Sequence, residues 1–303
     1  MSQQGFALKL AGLLASLAFI SLCFGQAQVP GGNSLAPPPT PVQKSAPPRM
    51  PLNPKLPTVF IVGDSTARNQ ANLGWGDHFA HYFDTSRINI ANRAIAGRSS
   101  RSYIEEGHWA HVLNEMKPGD YVLLQMGHND GGAVDSPKAR GSIRGLGNET
   151  QTVTLPNGKV DVVHTYGWYM RKYIADTRAK GAHPILLALT IRNIWHVGAD
   201  GKEHIERDMG YDAELRQLAR EEHVPYIDMS DIEADRLEAM GPRKTAALFP
   251  RDHTHTSAAG AELVAQCVVE ALRKAHSPLV AYLLPQSPAS GVERQTSQST
   301  TRP

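Results

Sequence analysis

The sequence predicts an α/β fold, a mostly parallel sheet with helices on both faces, and three observations carry that prediction. Short apolar runs rich in β-branched residues recur through the middle of the chain. Stretches with helical spacing of apolar residues separate them. The sharpest run, Val59-Phe60-Ile61-Val62, stops at Gly63, and a serine hydroxyl follows two positions later. Strands that alternate with helices require crossover connections, which makes neighbouring strands parallel and covers both faces of the sheet. A strand buried on both faces reads as an unbroken apolar run, and ligands bind beyond the carboxyl ends of such strands.

Taken in order, the chain opens like an exported protein. Lys9 precedes an apolar run from Leu10 to Phe24, and Gly25-Gln26-Ala27 offers small residues for cleavage, so residues 1–27 are expected to be a signal peptide. That run falls short of the roughly 20 residues a membrane span needs. Of the 21 prolines, ten fall between Pro30 and Pro57, which marks residues 28–55 as an extended linker. The folded domain is expected over residues 56–284, and the Ser-, Thr- and Gln-rich residues 285–303 as a disordered tail.

Within the domain the candidate strands are Thr58–Gly63, Arg87–Ala91, Tyr121–Gln125, Pro184–Leu189 and Pro225–Asp228. Helical stripes run through Trp109, Val112, Leu113 and Met116, through Tyr166, Tyr169, Met170, Tyr173 and Ile174, and through Leu263, Val264, Cys267, Val268, Ala271 and Leu272. Pro118 ends the first, and Gly181 suits the left-handed cap of the second. Residues 132–164 are too long for a plain connection and read as an insertion, with a hairpin from Thr152 to Val163 over the sheet rim.

Bulk composition narrows the function. The 303 residues are 41% hydrophobic and 20% charged with a net charge of +2, an ordinary globular balance that argues against a nucleic-acid partner. Two cysteines, Cys23 and Cys267, cannot build a disulfide framework or a cysteine-rich zinc site.

Four segments could meet at one end of the sheet. Ser65 follows the first strand, where a turn can aim a hydroxyl and backbone N–H groups at one small volume; alone it reads first as a helix cap. Asp252-His253-Thr254-His255 supplies a base, His255 oriented by Asp252, with His253 as the rival. A metal reading of the same residues lacks further ligands. Gly97 can bring its N–H close to a ligand, and Asn129 carries an NH₂ donor, so both with the Ser65 N–H are candidates for an oxyanion hole. Singly, Gly97 reads as a turn glycine and Asn129 as an Asx-turn. Together, the ordered set supplies each part that acyl transfer requires.

Gly63-Asp64-Ser65, Gly97, Gly127-His128-Asn129-Asp130 and Asp252-x-x-His255 resemble the four blocks of the SGNH (GDSL-type) hydrolase superfamily. Gly127 to Gly132, Tyr166-Gly167-Trp168-Tyr169 and Asp252 to Thr256 are similar to segments of rhamnogalacturonan acetylesterases. The resemblance implies a flavodoxin-like three-layer α/β/α sandwich around a five-stranded parallel sheet. It implies Ser65 as nucleophile, His255 as base oriented by Asp252, an oxyanion hole completed by Gly97 and Asn129, and neither metal nor organic cofactor.

The expectation is thus a secreted or periplasmic serine esterase, monomeric, without nucleic-acid or membrane partners after signal cleavage. It would remove acetyl groups from pectic rhamnogalacturonan or, alternatively, from acetylxylan or another sugar ester. Arg98, Arg101, Arg192, Asn193 and Trp195 are candidates for the substrate groove: arginines for galacturonate carboxylates, the indole for a sugar ring. A metallophosphoesterase is the rival enzyme, because Gly-His-Asn-Asp shares letters with that family's block in a different order. A non-catalytic sugar-binding module is the rival of another class.

Overall fold

The structure is a computed structural model that describes residues 51–285. The expected signal peptide, most of the linker and nearly all of the tail lie outside the described residues. The elements in chain order are β1 (Thr58–Gly63), α1 (Trp75–His78) running into a 3₁₀ turn (Phe79–Tyr82), β2 (Asn89–Asn92), α2 (Ser100–Glu105), α3 (His108–Glu115) and β3 (Tyr121–Gln125). Then come the hairpin β4 (Thr150–Thr154) and β5 (Val160–His164), α4 (Tyr166–Ala179), β6 (His183–Leu187), and a second hairpin of β7 (Trp195–Val197) and β8 (Glu203–Ile205). The chain ends through α5 (Asp212–Glu221), β9 (Tyr226–Ile227), α6 (Ser230–Met240), α7 (Pro242–Ala246), α8 (Ala258–Lys274) and a 3₁₀ turn at Pro278–Tyr282.

The five main strands form one parallel sheet in the order β2-β1-β3-β6-β9. Its two faces explain the unbroken apolar runs. Phe60 and Val62 of β1, Val122 and Leu124 of β3 and Leu186 of β6 face a core built with α2 to α5. Val59, Ile61, Leu123, Ile185 and Leu187 face the opposite core, built with α1 and α8. Alternate side chains thus enter different cores, and both must be apolar. Truncating a fully buried strand residue such as Leu123 to alanine is expected to cost about 2–5 kcal/mol.

Local signals shift some borders. β2 begins two residues later than expected because Asp84 first ties down a turn, taking the Ser86 N–H and hydroxyl on its side chain and the Arg87 N–H on its carbonyl. The folded body also reaches back beyond residue 56. Leu52 packs against the core, while Asn53 exchanges hydrogen bonds of 3.0 Å with the Asn89 side chain. Gly181 has φ +69 after α4, the left-handed cap its position suggests. The insertion carries the hairpin β4–β5 over a small core of Val153, Leu155 and Val163.

Candidate active site

β1 ends where the turn must begin. Asp64 accepts the Thr66 N–H and hydroxyl, both at 2.9 Å, an Asx-turn that leaves Ser65 at the rim. Behind it, Gln125 at the end of β3 accepts from Trp75 Nε1 at 2.8 Å and donates to the Ala188 carbonyl at 2.7 Å. Thr66 Oγ1 donates to the same Gln125 oxygen at 3.3 Å, so the carboxyl ends of three strands and α1 are tied together next to the serine. Burial pushes the Asp64 carboxyl above its ordinary value, opposed by the two Thr66 hydrogen bonds and the charges of His255 and Arg192.

The loop ahead of α8 brings the imidazole to that rim. His255 Nε2 lies 2.9 Å from Ser65 Oγ, and His255 Nδ1 lies 2.7 Å from Asp252 Oδ2. The other Asp252 oxygen accepts the N–H groups of Thr254 and His255, each at 2.8 Å. Partial burial alone would raise the Asp252 carboxyl, but the His255 side chain and the two N–H donors outweigh it and hold it at about 2. Asp252 is therefore a carboxylate at any working pH, which places the His255 hydrogen on Nδ1 and leaves Nε2 free to accept from the serine. His255, not His253, faces Ser65; the His253 carbonyl instead takes the Asn193 N–H at 2.7 Å.

Candidate donors come from three further positions. Gly97 has φ +78, a conformation that favours glycine. The N–H groups of Ser65 and Gly97 have no acceptor among the described residues. Asn129 Nδ2 lies 3.0 Å from the Arg98 carbonyl and 3.5 Å from Asp64 Oδ2, so the third candidate donor is held beside the Gly97 turn. Two unspent N–H groups and one amide are thus available, the kinds of donor an oxyanion hole requires.

Residues that sequence reasoning left without roles complete the frame. Asp130 is fully buried and pushed up to about 6 by burial, against its hydrogen bonds to Ser100 and Ser142. It receives the Ser100 N–H and hydroxyl and the Ser142 hydroxyl, locking α2 and the insertion to the end of β3. His128 donates or accepts at Thr190 Oγ1, 3.0 Å away, and burial with the Arg192 and His255 charges holds it down to about 3, a neutral ring. The signal for both was their place in Gly127-His128-Asn129-Asp130. Gly127 has φ +152, and a Cβ there would stand 2.8 Å from Leu189.

The proposed groove residues separate. Arg192 Nη2 donates to the His128 carbonyl at 3.3 Å, and Asn193 is bonded to the His253 carbonyl, so this pair stands at the catalytic rim. Trp195 packs against the core edge and donates to Asn193 Oδ1 at 2.7 Å. Arg98 turns its guanidinium to Glu106 at 2.8 Å. Arg101 does not line a groove. It is wholly buried and its donors are spent on Glu105, Asp161 and the carbonyls of Val134 and Gly141. It staples α2 to the insertion, because no carboxylate of a bound sugar can reach a side chain that the protein already encloses.

Residues 61–263 match the model of the GDSL-like lipase/acylhydrolase family. The chain belongs to that family. Its members are carboxylic ester hydrolases, and so is this protein. It is 35% identical to a rhamnogalacturonan acetylesterase of Emericella nidulans over 71% of this chain and 84% of that one. It is 29% identical to a probable rhamnogalacturonan acetylesterase, YesY, of Bacillus subtilis, over 73% of this chain and 94% of that one. Among solved structures, protein YxiM from Bacillus subtilis superposes with a TM-score of 0.58 at 26% identity, covering 74% of this chain and 58% of that one. The five-stranded parallel sheet and its flanking helices are those expected of an SGNH hydrolase.

Proposed function

We propose that this GDSL-family hydrolase is a serine carbohydrate esterase that removes acetyl groups from pectic rhamnogalacturonan, acting outside the cytoplasm. The observation that carries the reading is the unbroken chain Ser65 Oγ, His255 Nε2, His255 Nδ1, Asp252 Oδ2, with contacts of 2.9 and 2.7 Å. In this mechanism His255 takes the Ser65 proton as Oγ attacks the acetyl carbonyl. The N–H groups of Ser65 and Gly97 and Asn129 Nδ2 hold the negative oxygen. Collapse expels the sugar alkoxide, which leaves with the proton from His255. Water, activated by the same imidazole, then releases acetate and restores the serine.

The substrate assignment draws on two supports. The relatives named above carry rhamnogalacturonan acetylesterase in their names. Arg192 stands at the rim, where its charge is felt at Asp64, and galacturonate brings a carboxylate to meet it. Among the described residues no helix is long and apolar enough to cross a membrane. The test compares acetate release from acetylated rhamnogalacturonan and neutral acetylxylan, for wild type, Ser65→Ala and Arg192→Ala. The expected result is loss of all activity in Ser65→Ala and a KM rise for Arg192→Ala confined to the pectic substrate. A preference for xylan that ignores Arg192→Ala would make the protein an acetylxylan-type esterase instead.

A further inference from the structure

We propose that His78, His81 and Glu262 form a binding site for a divalent transition-metal ion of the zinc class, joining α1 to α8 on the flank of the catalytic end. One ligating atom from each residue lies within 4.8 Å of the other two. His78 closes α1 and His81 sits three residues on in the 3₁₀ turn, so both rings emerge on one side, with Glu262 facing them from α8.

The hydrogen bonding of His78 asks for a cation at this place. Its Nδ1 is 2.8 Å from Glu262 Oε2 and its Nε2 is 3.0 Å from the Asn72 carbonyl. Both neighbours are acceptors, whereas a neutral imidazole has one ring hydrogen. With that hydrogen donated to Asn72, the Nδ1 lone pair points at a carboxylate oxygen, and either a second proton or a metal ion must stand between them. His81 beside the pair supplies a third ligand that a proton does not need. The arrangement also has the outer partners of a metal site: a backbone carbonyl fixes the ring of one histidine, and the Tyr82 hydroxyl donates to the second Glu262 oxygen. Asn72 is held at φ 62 to present that carbonyl.

The donor set selects the ion. Two imidazoles and one carboxylate suit zinc and its neighbours rather than magnesium or calcium, and three protein ligands leave a position for water. Tetrahedral ligation would place Nδ1 and Oε2 about 3.3 Å apart, so the present 2.8 Å contact opens by about 0.5 Å. Both side chains keep enough exposure to do so, at 13% for His78 and 35% for Glu262. The site adjoins the catalytic end without entering it. Asn72 and Leu73 lie in the segment between Ser65 and α1, and the Leu73 carbonyl accepts the hydroxyl of Thr256, next to His255, at 2.9 Å.

The test is zinc titration of the tag-free full chain, stripped with EDTA and dialysed, by calorimetry and by thermal unfolding. One zinc per chain is expected, raising Tm by roughly 5–10 °C when the ion is about 100-fold above its Kd. His81→Ala leaves the His78–Glu262 contact intact. It should unfold like wild type without metal yet bind zinc more than about tenfold more weakly, as should Glu262→Gln. Esterase activity of the stripped wild type at 25 °C should be unchanged, which separates this site from the catalytic one. No saturable binding would show a protonated His78–Glu262 pair only and overturn the proposal. Binding retained in both variants would place the ion elsewhere and overturn it equally.

Discussion

Asp252→Asn isolates what the carboxylate contributes beyond holding its loop. The amide oxygen can still accept the N–H groups of Thr254 and His255, which now bond Asp252 at 2.8 Å, so the backbone keeps its shape. The amide NH₂ then faces His255 Nδ1, where Asp252 Oδ2 now lies at 2.7 Å. It forces the ring hydrogen onto Nε2, the nitrogen that must receive the serine proton. The charge that stabilises imidazolium is lost as well. At this short range a carboxylate–imidazolium pair is worth between about 1 kcal/mol in water and about 4 kcal/mol near a protein surface. The lower part of that range applies, because the Asp252 side chain is 43% exposed and shares its lone pairs with water. Charge alone therefore predicts a loss of roughly 10–100-fold in kcat. The wrong tautomer adds to it, for a total of about 10²–10⁴. The assay is initial-rate hydrolysis of p-nitrophenyl acetate, with Tm measured alongside. Asp252→Asn should keep its Tm to within a few degrees and lose at least a hundredfold in kcat, with KM little changed. A variant with more than half of the wild-type kcat would refute the tautomer reasoning outright.

Other outcomes follow from the same geometry. Asn129→Ala should lower kcat by about 10²–10³ with a modest KM change, measured on the same ester, because it deletes a donor to the developing oxyanion. Arg101→Ala should cost about 3 kcal/mol, a Tm fall of roughly 6–12 °C by calorimetry, with KM for polysaccharide unmoved. A raised KM with unchanged Tm would restore it to the groove. Burial pushes Glu233, which takes the Ile191 N–H at 3.0 Å, up to about 8. The folded state then holds a proton that the unfolded chain releases near the ordinary carboxylate value. Stability must fall as pH rises between the two, by on the order of 2 kcal/mol from about pH 6 to pH 8. Glu233→Gln should flatten that slope in thermal melts, and an unchanged slope would contradict it.

Much of this arrangement is legible in the sequence because it rests on local chemistry. β1 announces itself through an apolar run cut off at Gly63, and the third helical stripe lies just after the Asp-x-x-His loop it positions. What escaped sequence reasoning depends on distant partners. Arg101 looks like any arginine near a glycine turn, and its burial becomes visible only when the hairpin brings Asp161 to 2.6 Å from it. The hairpin β7–β8 is three residues per strand, too short for periodicity to register. Asp130 stands inside a motif whose asparagine carries the recognisable chemistry, yet it takes a hydroxyl from each of two segments far apart in sequence. The choice between His253 and His255 was likewise one of direction, which spacing alone does not settle.

Rapid-quench mass spectrometry during turnover of p-nitrophenyl acetate bears most directly on the central claim, that Ser65 is the group acylated. The account predicts one acetyl group on the peptide that contains Ser65, accumulating in the burst and absent from Ser65→Ala. Acetyl on another side chain, or steady turnover by Ser65→Ala at the wild-type rate, would contradict it.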